Sequence, residues 1–344
     1  MKAFYSGRRV LVTGGLGFIG SNLAIRLAGL GAEVVVVDAR VPGCGGNPFN
    51  LLDQSKTIRI VERDIGDPAI RKLLDSSPVV FNLAGEVSHV HSMLYPERDL
   101  CINTTAHLRF LSACAEHQSR LRVVYASTRQ VYGIPQALPV DENHPVCPVD
   151  FNGIHKHAAE QQHLLLTRLG RMDAMVLRLT NIYGPRMAIG LPCQGFLPVF
   201  AHRAIRKERI TVFGDGLQMR DPVYVDDACD AFVRAGMVQN PERRTLNIGS
   251  SQPLTVGAIA EEFARQGDLP EPELRPFPAD RKPIDIGSYI ACTEACYEQL
   301  GWRATTSFRD GVRRTLRYYG DPGQVATQAP AACPLGHIPA AARA

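Results

Sequence analysis

The sequence predicts an α/β protein built on a doubly wound parallel sheet, with a smaller α/β lobe towards its C-terminus. Strand-length apolar runs alternate with segments of helical spacing through the first half of the chain. These runs are continuously apolar, which is typical of parallel strands covered on both faces. The first run ends in a glycine-rich turn that opens a helix, as expected where such a sheet binds a ligand.

The predicted elements alternate in chain order, and each strand ends in turn residues. The strand segments are RVLVTGG, AEVVVVDA, TIRIVERD, PVVFNLAG, LRVVYAST and AMVLRLTNIYG. The segments of helical spacing are SNLAIRLAGLG, TTAHLRFLSACAEH and HKHAAEQQHLLLTRLG. This alternation predicts the parallel order of the sheet.

The pattern changes after Pro185, where segments become shorter and richer in proline and glycine. The larger domain is predicted at residues 1–185, and residues 225–250 return to it because DPVYVDDACDAFVRAG again has the pattern of packed α/β structure. A smaller, interleaved lobe is predicted at residues 186–320. Residues 321–344 are rich in alanine and proline without periodicity, which predicts a loose tail.

Composition excludes several classes of function. The net charge of +4 comes without a dense run of lysine and arginine, which disfavours nucleic acid as a partner. No apolar run approaches the roughly 18 residues of a membrane-spanning helix, and the N-terminus lacks the pattern of a signal peptide. The nine cysteines include no C-x-x-C pair, which indicates reduced thiols in the cytoplasm and no metal site.

The turn TGGLGFIG places Gly14, Gly17 and Gly20 between a strand and a helix. Glycines let the backbone approach a pyrophosphate, and the helix N-terminus offers it N–H groups and a positive dipole. Asp38 ends the next strand, where a carboxylate binds the ribose hydroxyls of adenosine and repels a 2′-phosphate. The pattern predicts a Rossmann-type site for NAD rather than NADP, a preference that the nearby Arg40 weakens.

These motifs belong to a longer ordered set. The set comprises TGGLGFIG, ERDIGD, FNLAG, Asn103 in CINTTAHL, YASTRQVYG, LRLTNIYGPR, VFGDGLQMRDPVYVDDA, LNIGSS and LGWRATTSFRDGVRRTL. Apart from the tail, the chain thereby resembles the extended short-chain dehydrogenases/reductases of the nucleotide-sugar epimerase/dehydratase family. The resemblance implies NAD as cofactor, a nucleotide-diphosphate sugar as substrate, and a homodimer formed through TTAHLRFLSACAEH and the Lys156 helix.

The resemblance also implies individual roles at the cofactor. Asp64 and Ile65 would hold the adenine, and Lys156 would hold the nicotinamide ribose. Asn103 would be a structural hydrogen-bonding residue beside the site. The remaining cofactor contacts would fall on Phe18, Ile19, Leu83, Ala84 and Gly85.

The substrate contacts implied by the resemblance follow later in the chain. Asn181 in LTNIYGP and Arg220 in QMRDP would contact the diphosphate, which needs cations and fixed donors. The segment RKPIDIG departs from the family's Arg–x–Gly–Asp pattern, so either Arg281 or Lys282 is the second phosphate partner, with Asp285 towards the ribose. Three apolar residues either flank the base or pack in the core: Leu197, Phe200 and Phe213.

The reaction centre departs from the family. The family uses a tyrosine, a lysine and a Ser or Thr hydroxyl, and these positions fall on Asn152, Lys156 and Thr128. An amide cannot act as a general base. Lys156 can do so if it is desolvated, and His155 shares a helix face with Asn152. Further candidates for the base are Asp150, Glu86 and His89.

A second departure concerns the type of reaction. Where 4,6-dehydratases carry an Asp–Glu pair after the Ser/Thr, this chain has Arg129 and Gln130. Related decarboxylases keep the glutamate. Epimerisation, which needs only oxidation, rotation of the keto-sugar and reduction, therefore fits best, and C4 is the expected centre. The alternatives are a dehydratase or oxidoreductase with a substitute acid/base, and a degenerate protein that binds NAD and a sugar nucleotide without turnover.

Overall fold

The computed structural model describes residues 1–54, 56–75, 77–117, 120–191, 195–279 and 281–320. The loose tail predicted at residues 321–344 lies outside these described residues.

The described residues form thirteen strands, of which seven make one sheet. In chain order the strands are β1 (Arg9–Thr13), β2 (Glu33–Asp38), β3 (Ile58–Glu62), β4 (Val79–Asn82), β5 (Arg122–Thr128), β6 (Asp173–Leu179), β7 (Ile182–Tyr183), β8 (Thr211–Phe213), β9 (Met219–Arg220), β10 (Val223–Tyr224), β11 (Thr245–Ile248), β12 (Leu254–Thr255) and β13 (Glu273–Arg275).

Twelve α-helices occur in the described residues. They are α1 (Lys2–Tyr5), α2 (Phe18–Gly29), α3 (Arg71–Leu74), α4 (His89–Leu94), α5 (Pro96–Leu100), α6 (Ala106–Ala115), α7 (Phe151–Arg168), α8 (Phe196–Ile205), α9 (Val225–Met237), α10 (Val256–Gln266), α11 (Glu294–Leu300) and α12 (Phe308–Tyr319). A π-helical turn, Cys101–Thr105, joins α5 to α6, and a 3₁₀ turn, Arg129–Tyr132, follows β5.

The main sheet is parallel throughout and has the order β11-β6-β5-β4-β1-β2-β3. The chain runs outwards from β1 through β2 to β3 and then returns to β4 on the other side of β1. A crevice forms at the carboxyl ends of the strands where the order reverses. The predicted fold class, a doubly wound parallel sheet, is confirmed.

Apolar side chains cover both faces of this sheet. One face packs against α2 and α9 in a core that includes Val12, Leu23 and Phe232, and the other face contributes to a core with Phe110 and Leu111 of α6. This two-sided cover explains why β4 is buried at every residue.

A separate core joins α8, α10 and α12 in the C-terminal part of the chain. Phe200 belongs to this core, where its ring packs edge-on against those of Phe196 and Phe263. Phe200 therefore packs in the core rather than beside a ligand. The chain nevertheless returns to the main sheet, since β11 pairs with β6.

Candidate functional site

A cavity of about 500 Å³ opens at the carboxyl ends of the central strands. Its wall combines the turn after β1, the end of β2, the loops after β4 and β5, the start of α7 and segments from the C-terminal part of the chain. Nearly all of the predicted site residues line it: Gly14, Gly17, Phe18, Ile19, Gly20, Asp38, Asp64, Ile65, Leu83, Ala84, Gly85, Thr128, Asn152, Lys156, Asn181, Arg220, Arg281 and Asp285.

The turn after β1 requires glycine for steric reasons. Gly14 has φ +64°, and a Cβ atom there would lie 2.7 Å from the carbonyl oxygen of Leu83. A Cβ atom on Gly20 would lie 2.2 Å from the carbonyl oxygen of Gly14. Because Gly17 caps α2, the free N–H groups at the start of this helix face the cavity and can receive an anionic group.

Asp38 is fixed at the end of β2 by backbone donors. Its Oδ1 accepts from the amide of Arg40 at 2.8 Å, and its Oδ2 accepts from the amide of Leu16 at 3.0 Å. Burial raises the pKa of the Asp38 carboxyl, and these two hydrogen bonds oppose that rise. The side chain of Arg40 instead pairs with Glu62 at 2.9 Å on the surface.

Asn152, which the resemblance matches to the family's tyrosine, is held by structural hydrogen bonds. Its Nδ2 donates to the backbone oxygen of Glu86 at 2.9 Å and to Oδ2 of Asp99 at 3.0 Å. Asn103 holds the same loop: its Oδ1 accepts from the Glu86 amide and its Nδ2 donates to the Glu86 carbonyl oxygen, both at 3.1 Å. The Asn152 amide therefore ties α7 to α5 and to the loop after β4.

His155 turns away from the cavity. Its Nδ1 lies 2.7 Å from Oδ1 of Asp99, and the residue is only 7% exposed. Although His155 follows Asn152 on one helical face, its ring packs towards α5 and is absent from the lining of the cavity. The structure thus does not bring this predicted catalytic residue to the site.

Lys156 and Thr128 do face the cavity. Burial lowers the pKa of the Lys156 ammonium to about 8, against the opposing influence of the Asp99 and Glu160 carboxylates. Its Nζ lies 3.5 Å from the backbone oxygen of Ala126. Thr128 ends β5, and its hydroxyl accepts from the amide of Gln130 at 3.2 Å.

Another part of the cavity lining carries cationic side chains. Arg220 is 7% exposed, and its Nη1 donates to the backbone oxygens of Met219 at 2.8 Å and Gly287 at 2.6 Å. Its Nε is buried without a hydrogen-bond partner among the described residues, as is Nη1 of Arg129. Burial, followed by the positive charge of Arg129, lowers the pKa of Arg220 to about 9.

The other predicted substrate-binding residues differ in whether they line the cavity. Oδ1 of Asn181 is buried and has no hydrogen-bond partner in the described part of the chain. Asp285 accepts from Gln218 at 2.7 Å. Arg281 lines the cavity, whereas Lys282 does not and lies over the ring of Phe277 at 5.6 Å.

Some features of the cavity wall have no signal in the local sequence pattern. Phe277 lies in a proline-rich segment without periodicity, so no spacing indicated it, and Phe213 reaches the site only by packing on Phe277. Leu197 lines the cavity and also belongs to the C-terminal core. His89 lies in the cavity wall, where it contacts Asp150. The two residues are 61 positions apart in the sequence (150 minus 89), so no local pattern indicates this contact.

Within the described residues, no group of three or more His, Cys, Asp or Glu side chains is placed to hold a metal ion. No helix in the described ranges is both long and apolar enough to cross a membrane.

Comparison with known proteins identifies the class. The profile of the NAD dependent epimerase/dehydratase family matches residues 10–249. The chain belongs to this family, which confirms the family and the NAD cofactor predicted from its motifs. The residues present fit that cofactor, because the crowded glycine turn, the free N–H groups of α2 and Asp38 line one cavity.

Three similar proteins, one compared by sequence and two by structure, show what this chain resembles within the family. The chain is 30% identical to the UDP-glucose 4-epimerase of Mycolicibacterium smegmatis, over 92% of this chain and 100% of the relative. It resembles the structure of the Thermotoga maritima UDP-glucose 4-epimerase with UDP-glucose at a TM-score of 0.82 and 29% identity, over 90% of this chain and 98% of the other. MoeE5 in complex with UDP-glucose and NAD matches at a TM-score of 0.78 and 27% identity, over 91% and 98%. The predicted class, an NAD-dependent nucleotide-sugar epimerase, agrees with these relatives.

Proposed function

We propose that this chain epimerises a nucleotide-diphosphate sugar at C4 with NAD as cofactor. One observation carries the proposal: a single cavity joins the glycine turn and Asp38, the Thr128–Lys156 pair and the cationic end at Arg220. These groups suit a cofactor, a diphosphate and a sugar bound together in one cavity. The UDP-glucose and NAD complexes of related structures support it.

At the cofactor end, the residues divide by chemistry. The N–H groups after Gly17 would hold the pyrophosphate, and the Asp38 carboxylate would accept from the adenosine ribose hydroxyls. Asp64 and Ile65 would contact the adenine. Bound NAD would supply the reversible oxidation of the sugar carbon. The remaining contacts would come from Gly14, Phe18, Ile19, Gly20, Leu83, Ala84, Gly85 and Lys156.

At the substrate end, the cations favour an anion. Arg220 and Arg129 both line the cavity, and guanidinium groups form charge-assisted hydrogen bonds with phosphate oxygens. Arg281 adds a cation to the lining, and Asp285 lies where a ribose hydroxyl could donate to it. Lys282 is a less suitable phosphate partner because it lies outside the lining.

Around the reacting carbon, the side chains favour epimerisation over dehydration. The Thr128 hydroxyl can hydrogen-bond the sugar hydroxyl, and Lys156 supplies positive charge in a buried position. Elimination needs additional acid and base groups, whereas Arg129 is a cation and the Gln130 amide donates to Asp150 at 2.9 Å. Epimerisation involves no elimination, so it needs neither an additional acid nor an additional base at these two positions.

A panel of nucleotide sugars tests the proposal. Protein with NAD is incubated with each nucleotide sugar, and the products are identified by NMR. The expected result is a C4-inverted sugar from at least one member. Because Asn152 stands at the tyrosine position, the competing function is a binding protein, and tight binding without any product across the panel would favour that function.

A further inference from the structure

A histidine and a buried carboxylate meet at the cavity wall beside Asn152. His89 begins α4 and lines the cavity, and its Nδ1 lies 3.0 Å from Oδ2 of Asp150. Asp150 caps α7, where its Oδ1 accepts from the amide of Gly153 at 2.7 Å. Its Oδ2 also accepts from Gln130 at 2.9 Å, so the carboxylate is held firmly.

The exposure of His89 shows which edge of its ring meets the cavity. Nδ1 is buried and has no aligned hydrogen bond to any described group, and the Asp150 carboxylate lies beside it at 3.0 Å. The side chain is nonetheless 36% exposed, whereas that of Asp150 is 0% exposed. The accessible edge of the ring is therefore the one that carries Nε2. A carboxylate beside Nδ1 favours the tautomer with the proton there, which leaves Nε2 free to accept one.

Two of the other candidates for the base, His155 and Glu86, are less suitable by position, whereas Lys156 lines the cavity and supplies positive charge there. His155 is buried against Asp99, and Glu86 does not line the cavity. Tyr125 of β5 also lies outside the lining. The Glu86 carboxylate already faces Arg98 at 3.3 Å. Burial raises the pKa of the Tyr125 hydroxyl well above its ordinary value, so it is not available as a tyrosinate.

We propose that His89, oriented by Asp150, accepts and returns the proton that the family's tyrosine would carry; this inference rests on the proposed epimerase function. In oxidation, the C4–H and O–H bonds of the sugar break and the C=O bond forms. The C4 hydrogen would leave with its electron pair to bound NAD, the oxidant, and the hydroxyl proton would move to Nε2 of His89. The return step reverses both transfers, so no proton is consumed overall.

Turnover of His89→Ala, with added imidazole, is the first test. Removal of an acid/base group is expected to lower kcat by about 10²–10⁴-fold, while the affinity for NAD stays within about twofold. Free imidazole is expected to restore part of the rate in this variant. His117→Gln, a change near the C-terminal end of α6 and outside the lining, is the matched control and is expected to keep the wild-type rate.

A retained rate in His89→Ala, or a loss that imidazole does not restore, would overturn the role of His89 while leaving the epimerase function intact. A wild-type protein without product would instead overturn the epimerase function.

A second readout needs no turnover. It uses long-range ¹H–¹⁵N spectra of the His89 side chain, assigned by comparison with His89→Gln. They are expected to show a protonated Nδ1 and a free Nε2 that responds to nucleotide sugar. The opposite tautomer in both free and bound protein would refute the proposal.

Discussion

At the scale of single residues, burial of the Lys156 ammonium lowers the stability of the fold, while the same side chain is proposed to take part in turnover. Burial lowers the pKa of its ammonium from 10.5 to about 8. The unfolded chain therefore binds one more proton than the folded chain between about pH 8 and 10.5, so the free energy of unfolding rises with pH across that window. Below it, both states are protonated and the full cost of burying the charge is present.

Lys156→Met is accordingly expected to abolish turnover and to stabilise the fold at pH 7. The shift in pKa corresponds to about 3 kcal/mol, so the gain should be on the order of 1–3 kcal/mol. Urea denaturation of both proteins at pH 7 and pH 10 measures it. The gain should shrink at pH 10, because wild-type Lys156 is then neutral when folded. An equal difference at both pH values would show that desolvation of the charge is not the cause.

Arg129 is expected to contribute to phosphate binding. Arg129→Gln removes a cation from the cavity lining, and hydrogen bonds to charged groups contribute about 1.5–3 kcal/mol. The affinity for a nucleoside diphosphate, measured by calorimetry, should fall about tenfold to a hundredfold. Arg275→Gln is the control, since Arg275 pairs with Glu273 at the surface and lies outside the cavity lining. Equal affinity in wild type and Arg129→Gln would place the diphosphate elsewhere.

At the scale of elements, α7 is anchored to the sheet by a buried ion pair. Arg178 of β6 donates from Nε and Nη2 to the Glu160 carboxylate at 2.9 and 2.7 Å, and Ser127 donates to the same group at 2.5 Å. Glu160 lies four positions after Lys156, so this anchor sets the depth of α7 beside the cavity.

Glu160→Gln leaves the Arg178 guanidinium buried without its counter-charge. The free energy of unfolding is expected to fall by about 3 kcal/mol, as for other broken buried pairs. Chemical denaturation measures this change. Glu262→Gln on α10 is the control, since its partner Arg265 is half exposed and such pairs contribute about 0–1 kcal/mol. Similar losses in both variants would show that the buried pair does not anchor α7.

The sequence predicts elements better than it predicts contacts between them. Continuous apolar runs and the glycine turn indicated the parallel strands and the cavity-facing start of α2, because these depend on local pattern. The pairing of His89 with Asp150 and the fixing of Asn152 by Asp99 depend on how α4, α5 and α7 pack. The choice between Arg281 and Lys282 likewise depends on the path of a proline-containing turn. The domain boundaries remain a prediction.

At the scale of the whole molecule, the dimer expected from the family has a candidate surface. Phe151, Ile154 and Leu165 of α7 are 37–46% exposed and recur at helical spacing, and Leu108 of α6 is 51% exposed. Ile154→Glu should convert a dimer to a monomer because it places a charge within this apolar face. Sedimentation velocity measures the change, with Leu274→Glu on β13 as the control. A wild-type monomer, or a dimer that persists in Ile154→Glu, would contradict this surface.

The cavity as a whole is proposed to hold one sugar carbon while it is oxidised and reduced again, without release of the sugar. The most direct measurement uses a nucleotide sugar that carries deuterium at C4, incubated with the protein and NAD and followed by ¹H and ²H NMR. The expected result is a C4-inverted product that retains the deuterium at C4. Inversion with loss of the deuterium to water, or binding without any inverted product, would contradict the claim.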